Sequence, residues 1–245
     1  MPFSERTTKK PNYVKAATLD GRSCAEVFWS QAGYDGTRVT KGAEAEGKLR
    51  FSKEGWFSFK FYLPSKEYPY DKTAGMAQIF SLGGGCSWAG LMNIENNSLV
   101  FNHRHASIAP ERAVICEDIK RDQWNQLRIH FIASHQKQGM VQVWYGDSGE
   151  PVYERKNINF AFGEWIGDIL SEVDHKSRVG TAHIQLKFGQ YDHDSEHYTV
   201  GETRKSYYTD VMMSMTPPDW YTVGISKQSV ETPPAGTREI PGGRN

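Results

Sequence analysis

The feature that most constrains this chain is the regular alternation of apolar and polar residues in the segment 183–191. Side chains of an extended strand point to opposite faces in turn, so one face of this segment is apolar and the other carries Gln185, Lys187 and Tyr191. The pattern predicts a β-strand whose polar face forms the wall of a groove. Gly189, between Lys187 and Tyr191, leaves room for close approach to the backbone. An ordinary half-exposed strand is the alternative interpretation.

Similar short strand patterns follow one another along most of the chain. The segment 55–64 places Phe57, Phe59 and Phe61 on one face and ends at Pro64. A weak helical period at 163–171 predicts a short helix or turn. Many short strands without alternating helices predict an all-β, antiparallel β-sandwich. The further predicted strands are 76–81, 90–94, 98–105, 113–116, 124–132, 140–145 and 206–213, with a hairpin turn at Asn96-Asn97.

Length and composition narrow the class of protein. The 245 residues fit a single sandwich domain over 1–215, followed by a Pro- and Gly-rich tail over 216–245. The 29 basic and 29 acidic residues balance, so we expect no nucleic-acid partner. No apolar run approaches the roughly 20 residues that cross a bilayer, so we expect no membrane partner. We also expect a monomer. The first residues lack the apolar core of a signal peptide, so the protein stays inside the cell or a leader has been removed.

The three cysteines, Cys24, Cys86 and Cys116, cannot all pair within one chain, and their spacing matches no zinc pattern. One disulfide is compatible with these positions, but buried free thiols are the preferred interpretation. No Walker loop or dinucleotide-binding glycine pattern is present, and Gly83-Gly84-Gly85 is read as a flexible loop.

Several landmarks together resemble a known family. They are Gly42-Ala43-Glu44, the aromatic strand Trp56–Pro64, Gln78, the hairpin from Gln123 to Tyr145, the strand Lys187–Tyr191 and the closing strand Tyr208–Val211. The order resembles the polysaccharide lyases built on a concanavalin A-like β-jelly roll, which include heparin lyase I, alginate lyases and glucuronan lyases. Lys187-x-Gly189-x-Tyr191 discriminates best, because these lyases place a catalytic Tyr there. The resemblance implies an endo-acting lyase that cleaves a uronic-acid-containing polysaccharide, glucuronan-like, by β-elimination.

Such a reaction assigns roles to particular residues. β-Elimination removes the proton at C5 of a uronic acid, so the adjacent carboxylate must be neutralised, a base must take the proton, and an acid must protonate the departing O4. The resemblance implies Gln78 as the neutraliser and Tyr191 as the acid, with Tyr191 also a candidate for the base. A tyrosine hydroxyl has an ordinary pKa of about 10, so that second role needs a nearby cation, and Lys187 is placed to supply it.

The cluster His103-Arg104-His105 is the other dense group of polar residues. Jelly-roll lyases that use a His base carry it on an inner strand, which favours His105, with His103 as the alternative. Arg104 lies on the opposite strand face unless a bulge intervenes. The glucuronan lyases carry a further His ahead of the Leu-Pro strand, whereas this chain has none before His103, so the subfamily and the base stay open. The predicted substrate-binding residues are His103, Arg104, Gln185 and Arg50.

No cofactor is expected for the chemistry, but Asp210 occupies the position where related sandwiches hold a structural Ca²⁺, which requires 6–8 oxygen ligands. Two further functions stay open. One is a non-catalytic carbohydrate-binding module of the same fold, since laminin-G-like modules share the Trp hairpin and the closing strand. The other is a concanavalin-like glycoside hydrolase, for which Glu44 and Glu46 would be the acidic pair.

Overall fold

Antiparallel strands make up nearly all of the regular secondary structure. The structure is a computed structural model that describes residues 3–5, 10–69, 73–82, 88–104, 110–134, 137–161, 164–166, 169–171, 183–191 and 198–221. The strands are β1 (Phe3–Glu5), β2 (Tyr13–Leu19), β3 (Arg22–Ser30), β4 (Gly42–Phe51), β5 (Glu54–Tyr62), β6 (Thr73–Leu82), β7 (Trp88–Glu95), β8 (Ser98–His103), β9 (Glu111–Cys116), β10 (Trp124–Ile132), β11 (Gly139–Tyr145), β12 (Tyr153–Ile158), β13 (Glu164–Ile166), β14 (Ile169–Ser171), β15 (His183–Tyr191) and β16 (Thr203–Ser214). Two short 3₁₀ helices, Gln31–Gly33 and Arg38–Lys41, precede β4.

Fourteen of these strands form two antiparallel sheets of seven strands each. The first sheet has the order β1-β4-β15-β6-β7-β8-β9, and the second has the order β12-β11-β10-β5-β16-β3-β2. The predicted all-β sandwich is therefore confirmed. Within the described ranges, no helix is long and apolar enough to cross a membrane.

The inner faces of the two sheets enclose one apolar core. The alternation predicted for β5 is confirmed, because Phe57, Phe59 and Phe61 all lie in this core. On β15, Phe188 packs from the first sheet against Tyr208 of the second, with ring centroids 4.9 Å apart. Burying one such ring contributes about 2 kcal/mol to folding. The side chains that alternate with these core residues therefore lie on the outer face of each sheet.

Two hairpin turns are formed by residue pairs with positive φ. Asn96 and Asn97 both have positive φ, at 48° and 66°, and join β7 to β8 in the predicted hairpin. Asp20 and Gly21, with φ of 50° and 73°, join β2 to β3 in the same way. Asn, Asp and Gly tolerate this left-handed region, which two-residue hairpin turns require.

Three further predictions concern the segment 163–171, the cysteines and the division into a domain and a tail. The predicted short helix at 163–171 is wrong, because Glu164–Ile166 and Ile169–Ser171 pair as antiparallel strands. Cys24 and Cys116 are free and half-buried, whereas Cys86 and the triple glycine before it lie outside the described residues. The division into a domain and a tail at residue 215 stays a prediction, since residues 222–245 are not described.

An aromatic cluster covers part of the outer face of the second sheet. The ring of His130 stacks on Trp56 with centroids 4.6 Å apart and an interplanar angle of 4°. Tyr221, beyond the last strand, packs edge-on against His130 at 4.8 Å. Its neighbour Trp220 packs edge-on against Trp144 at 5.5 Å. Trp220 and Tyr221 are thus held on the sheet by ring contacts.

Polar contacts complete this aromatic cluster. His130 Nε2 lies 2.8 Å from Glu54 Oε1, and Nδ1 lies 3.0 Å from Gln142 Oε1. The amide nitrogen of Gln142 donates to Glu154, so both ends of that amide are bonded. Both ring nitrogens of His130 and both ends of the Gln142 amide thus have partners, as is typical of a network with a structural role.

Candidate active site

The cross-strand pair Gln78 and Lys187 forms the centre of the candidate site. The antiparallel register of β6 and β15 places the two residues directly opposite each other, while their neighbours Ala77 and Phe188 face the core. Only 6% of Gln78 and 4% of Lys187 is exposed, so both side chains are recessed on the outer face. The Lys187 ammonium lies 3.9 Å above the ring of Phe80, a cation–π contact that helps to hold a buried charge.

Tyr191 lies on the same outer face of the first sheet, four residues beyond Lys187. Its partners in the adjacent strands are Gly42 on β4 and Gly75 on β6, so no side chain stands beside it in either strand. A side chain at Gly75 would contact Leu91 at 3.1 Å, and Leu91 is the register partner of Gln78. The predicted shared face of Lys187 and Tyr191 is therefore present in the structure, and Tyr191 is half-buried.

Gly189 has a different role from the one its position suggests. Its φ is +135°, and a Cβ there would lie 2.3 Å from the carbonyl oxygen of Ala43 and 2.9 Å from the Cα of Glu44. The close approach that requires a glycine is thus made by the backbone of β4. The register between β15 and β6 also shifts between Phe188 and Tyr191, which marks a β-bulge.

A second row of outer-face residues runs beside the first. Gln185 pairs with Arg50 on β4 and with Phe80 on β6, and Phe80 pairs in turn with Trp88 on β7. The guanidinium of Arg104 lies 3.5 Å above the ring of Trp88. Arg50 Nη2 donates to Glu46 at 2.9 Å. The structure therefore brings together six of the predicted site residues: Gln78, Lys187, Tyr191, Arg50, Gln185 and Arg104.

Gln185 has an unusual environment within that row. None of its surface is exposed, and neither its amide nitrogen nor its amide oxygen has a hydrogen-bond partner in the described part of the chain. A buried polar group without a partner costs about 1–3 kcal/mol, so native proteins rarely keep one without a use for it.

His103 does not belong to this face, and its prediction as a substrate-binding residue or alternative base requires correction. It pairs with Gly90, whose missing side chain would contact the core residue Phe101. The imidazole is fully buried, and its Nε2 lies 2.6 Å from the hydroxyl of Tyr153, which donates to Glu111. His103 thus links the two sheets. His105, the preferred base, lies outside the described residues and stays a prediction.

These contacts change the acidity of the two partners of His103. Burial, followed by the charge of Glu111, raises the pKa of Tyr153 above its ordinary value. Burial by itself would raise the pKa of Glu111, but His103, Arg155 and Tyr153 together hold that pKa below its ordinary value.

The calcium site predicted at Asp210 stays a prediction. The carboxylate of Asp210 forms an ion pair with Lys60 Nζ at 2.8 Å on the outer face of the second sheet. The backbone at Asp210 is bulged, with φ of +52°. No group of three His, Cys, Asp or Glu side chains that could hold a metal occurs among the described residues. An ammonium group beside the carboxylate opposes a cation there.

Three residues of this face were not assigned to the lyase site from the sequence. Glu44 accepts a hydrogen bond from the amide nitrogen of Gln78. The rings of Phe80 and Trp88 make the cation–π contacts with Lys187 and Arg104. The alternation along β6 contained the signal for Phe80, which lies two residues from Gln78 and hence on the same face.

Comparison with known proteins identifies the family of this chain. A family model described as polysaccharide lyase matches residues 3–212, which is most of the chain. The chain therefore belongs to the polysaccharide lyase family, and the protein is a polysaccharide lyase. A search of curated proteins finds no match.

Solved structures share the fold at low sequence identity. An endo-β-1,4-glucuronan lyase from the fungus Trichoderma reesei superposes with a TM-score of 0.60 at 16% identity, covering 87% of this chain and 90% of that one. The alginate lyase vAL-1 from a Chlorella virus gives 0.55 at 12% identity, covering 82% and 88%. The alginate lyase PA1167 from Pseudomonas aeruginosa gives 0.50 at 12% identity, covering 79% and 83%.

Proposed function

We propose that this lyase cleaves a uronic-acid-containing polysaccharide, glucuronan-like, within the chain by β-elimination. The observation that carries the proposal is the placement of Gln78, Lys187 and Tyr191 on one recessed sheet face. These three side chains match the needs of the reaction, which are a hydrogen-bond donor for a carboxylate, a cation and a hydroxyl that transfers protons.

The geometry suggests how the roles divide. Gln78 donates an N–H to the substrate carboxylate, and this bond strengthens as charge moves onto that carboxylate in the enediolate. Lys187, opposite Gln78 in the register, adds positive charge in a site from which water is largely excluded. Tyr191 gives its proton to the departing O4 and is a candidate to take the proton from C5. His105 remains the other candidate for the base.

A polyuronate is the substrate class that these charges favour. Arg50, Lys187 and Arg104 all lie on the outer face of the first sheet, so repeated carboxylates along a chain would meet repeated cations. The similar structures named above are a glucuronan lyase and two alginate lyases, and each of those names refers to a polyuronate. We therefore extend the same substrate class to this protein.

Hydrolysis by an acidic pair is less compatible with this face. Glu44 accepts a hydrogen bond from Gln78, and Glu46 is paired with Arg50 at 2.9 Å. A hydrolase needs one protonated carboxyl group beside the scissile bond. An arginine partner stabilises the ionised form of Glu46 and thus opposes that role.

Incubation with polyglucuronate, followed by ultraviolet absorbance, tests the proposal. Elimination leaves a C4–C5 double bond that absorbs, whereas hydrolysis and simple binding leave none. We expect rising absorbance with early products of many lengths, as internal cleavage requires. Gln78→Ala should reduce turnover about 100-fold, while Gln126→Ala on the second sheet should not. Retention of the polymer on an affinity gel without new absorbance would instead establish a binding module.

A further inference from the structure

Glu44 is a buried acid on the outer face of the first sheet, beside the predicted neutraliser. Its neighbours Ala43 and Ala45 face the core, so its own side chain faces outward, yet only 4% of the residue is exposed. The amide nitrogen of Gln78 donates a hydrogen bond to its carboxylate. Elimination chemistry gives Glu44 no direct role, because the reaction needs positive charge near the substrate carboxylate.

The contact nevertheless decides which way the amide of Gln78 points. An ionised carboxylate only accepts hydrogen bonds, so the nitrogen end of the amide must face Glu44. One N–H of Gln78 is then bonded to Glu44 and the second is directed elsewhere. Without Glu44 the amide would rotate between several orientations, and ordering a glutamine side chain costs up to about 2 kcal/mol.

The charge of Glu44 is also balanced within the same face. Lys187 is the register partner of Gln78, and Glu44 pairs with Gly189 two residues further along β15. A buried cation and a buried anion thus lie on neighbouring strands, and the site carries no excess negative charge that would repel a uronate.

We propose that Glu44 is a positioning residue that fixes the amide of Gln78 so that its second N–H meets the carboxylate of the uronic acid. This inference rests on the proposed function, because it specifies how the neutraliser is oriented. Glu44 itself touches no reacting atom. Its loss therefore lowers turnover through Gln78 and leaves binding of the remaining sugar units largely unchanged.

A double-mutant cycle in kcat tests this dependence. We expect Glu44→Ala to lower kcat between about ten- and a hundredfold with a small change in KM, and Glu44→Gln, which keeps an acceptor oxygen, to restore most of it. In a Gln78→Ala background, Glu44→Ala should add less than about twofold. A structural role would instead give multiplying losses in both backgrounds, which would overturn the proposal.

Nuclear magnetic resonance of the Gln78 side-chain amide gives a readout that needs no activity. The resonance is assigned by its loss in Gln78→Ala. We expect it to shift in both Glu44→Gln and Glu44→Ala and to stay in place in Glu26→Gln, which removes a hydrogen-bonded carboxylate from the second sheet. An unmoved resonance would refute the contact. If no uronan is cleaved but the resonance shifts, the contact stands and the proposed function fails.

Discussion

The outer faces of the two sheets each carry a glutamine, and the hydrogen bonds of these two glutamines differ. On the second sheet, His130 has a partner at each ring nitrogen, and both ends of the Gln142 amide are bonded. On the first sheet, Gln185 is fully buried with both amide atoms lacking a partner in the described chain, and Lys187 lies over a ring.

This difference separates structure from function. A polar network in which every group is hydrogen-bonded adds stability and specifies one arrangement. Buried polar groups without partners lower stability, and they indicate a face that binds a ligand. On the second sheet, the bonded ring of His130 packs against Trp56 and Tyr221. Under the proposed function, the first sheet keeps Gln185 for a substrate. Variants on the two faces should therefore change different quantities.

Tyr191→Phe should produce the largest effect and should change only catalysis. The substitution removes one hydroxyl and little volume, so the melting temperature should stay the same while turnover on polyglucuronate falls at least ~100-fold. Tyr145→Phe is the matched control, because it removes a hydroxyl that donates to Asn125 away from the first sheet. Near-normal turnover by Tyr191→Phe would remove the contrast between the faces.

His130→Ala should change only stability. It removes the ring between Trp56 and Tyr221 and leaves Glu54 without that contact, so the free energy of unfolding should fall by about 3 kcal/mol. Urea denaturation measures the loss, and turnover well below the melting temperature should match the wild type. His130→Phe, which keeps a stacked ring, should lose less. A drop in turnover of the folded variant would contradict the assignment.

Gln185→Met and Gln142→Met give the sharpest comparison, since each replaces a glutamine on one outer face. At Gln185 the change removes two polar atoms that have no partner among the described residues, so stability should hold or rise by up to about 1 kcal/mol while KM increases. At Gln142 it breaks two bonds, so stability should fall by about 1 kcal/mol with KM unchanged. Equal destabilisation by both would show that Gln185 has a structural partner.

The smallest expected effect is a pH dependence at the contact between the sheets. The pKa of Glu111 is lower in the folded protein than its ordinary value of about 4.3, so its ionised form stabilises the fold above that pH. This contribution is lost as the pH falls through the folded-state pKa. The stability difference between wild type and Glu111→Gln should therefore shrink as the pH falls below about 4. A stability difference that grows on acidification would contradict the lowered pKa of Glu111.

Local alternation accounts for most of what the sequence could predict about the fold. Period-two patterns located β5, β6, β7, β10 and β15, since each has a clear apolar face. The strands β2 and β3 were missed because their outer residues are exposed and their pattern is weak, although Asp20-Gly21 is a strong hairpin signal. The paired strands β13 and β14 were predicted as a short helix or turn because short apolar runs have no distinct period.

For the site, the sequence predicted which side chains share a strand face. Which of the two faces points away from the core was harder to predict. Lys187 and Tyr191 were correctly placed together, because Phe188 marks the inner face between them. His103 shares its parity with the core residue Phe101, so the information that it faces inward was present in β8. The contact between Glu44 and Gln78 joins strands 34 residues apart, and no local pattern encodes such a pair.

The glycine at position 189 has a consequence for recognising related proteins by a short signature. Within Lys187-x-Gly189-x-Tyr191, the glycine serves the backbone of β4, whereas the lysine and the tyrosine face outward. The signature thus combines one position that serves sheet assembly with two positions for which we propose a chemical role. A sequence that keeps the glycine and lacks the tyrosine should share this sandwich without the reaction. A sequence search that weights all three positions equally would assign the activity to proteins that share only the fold.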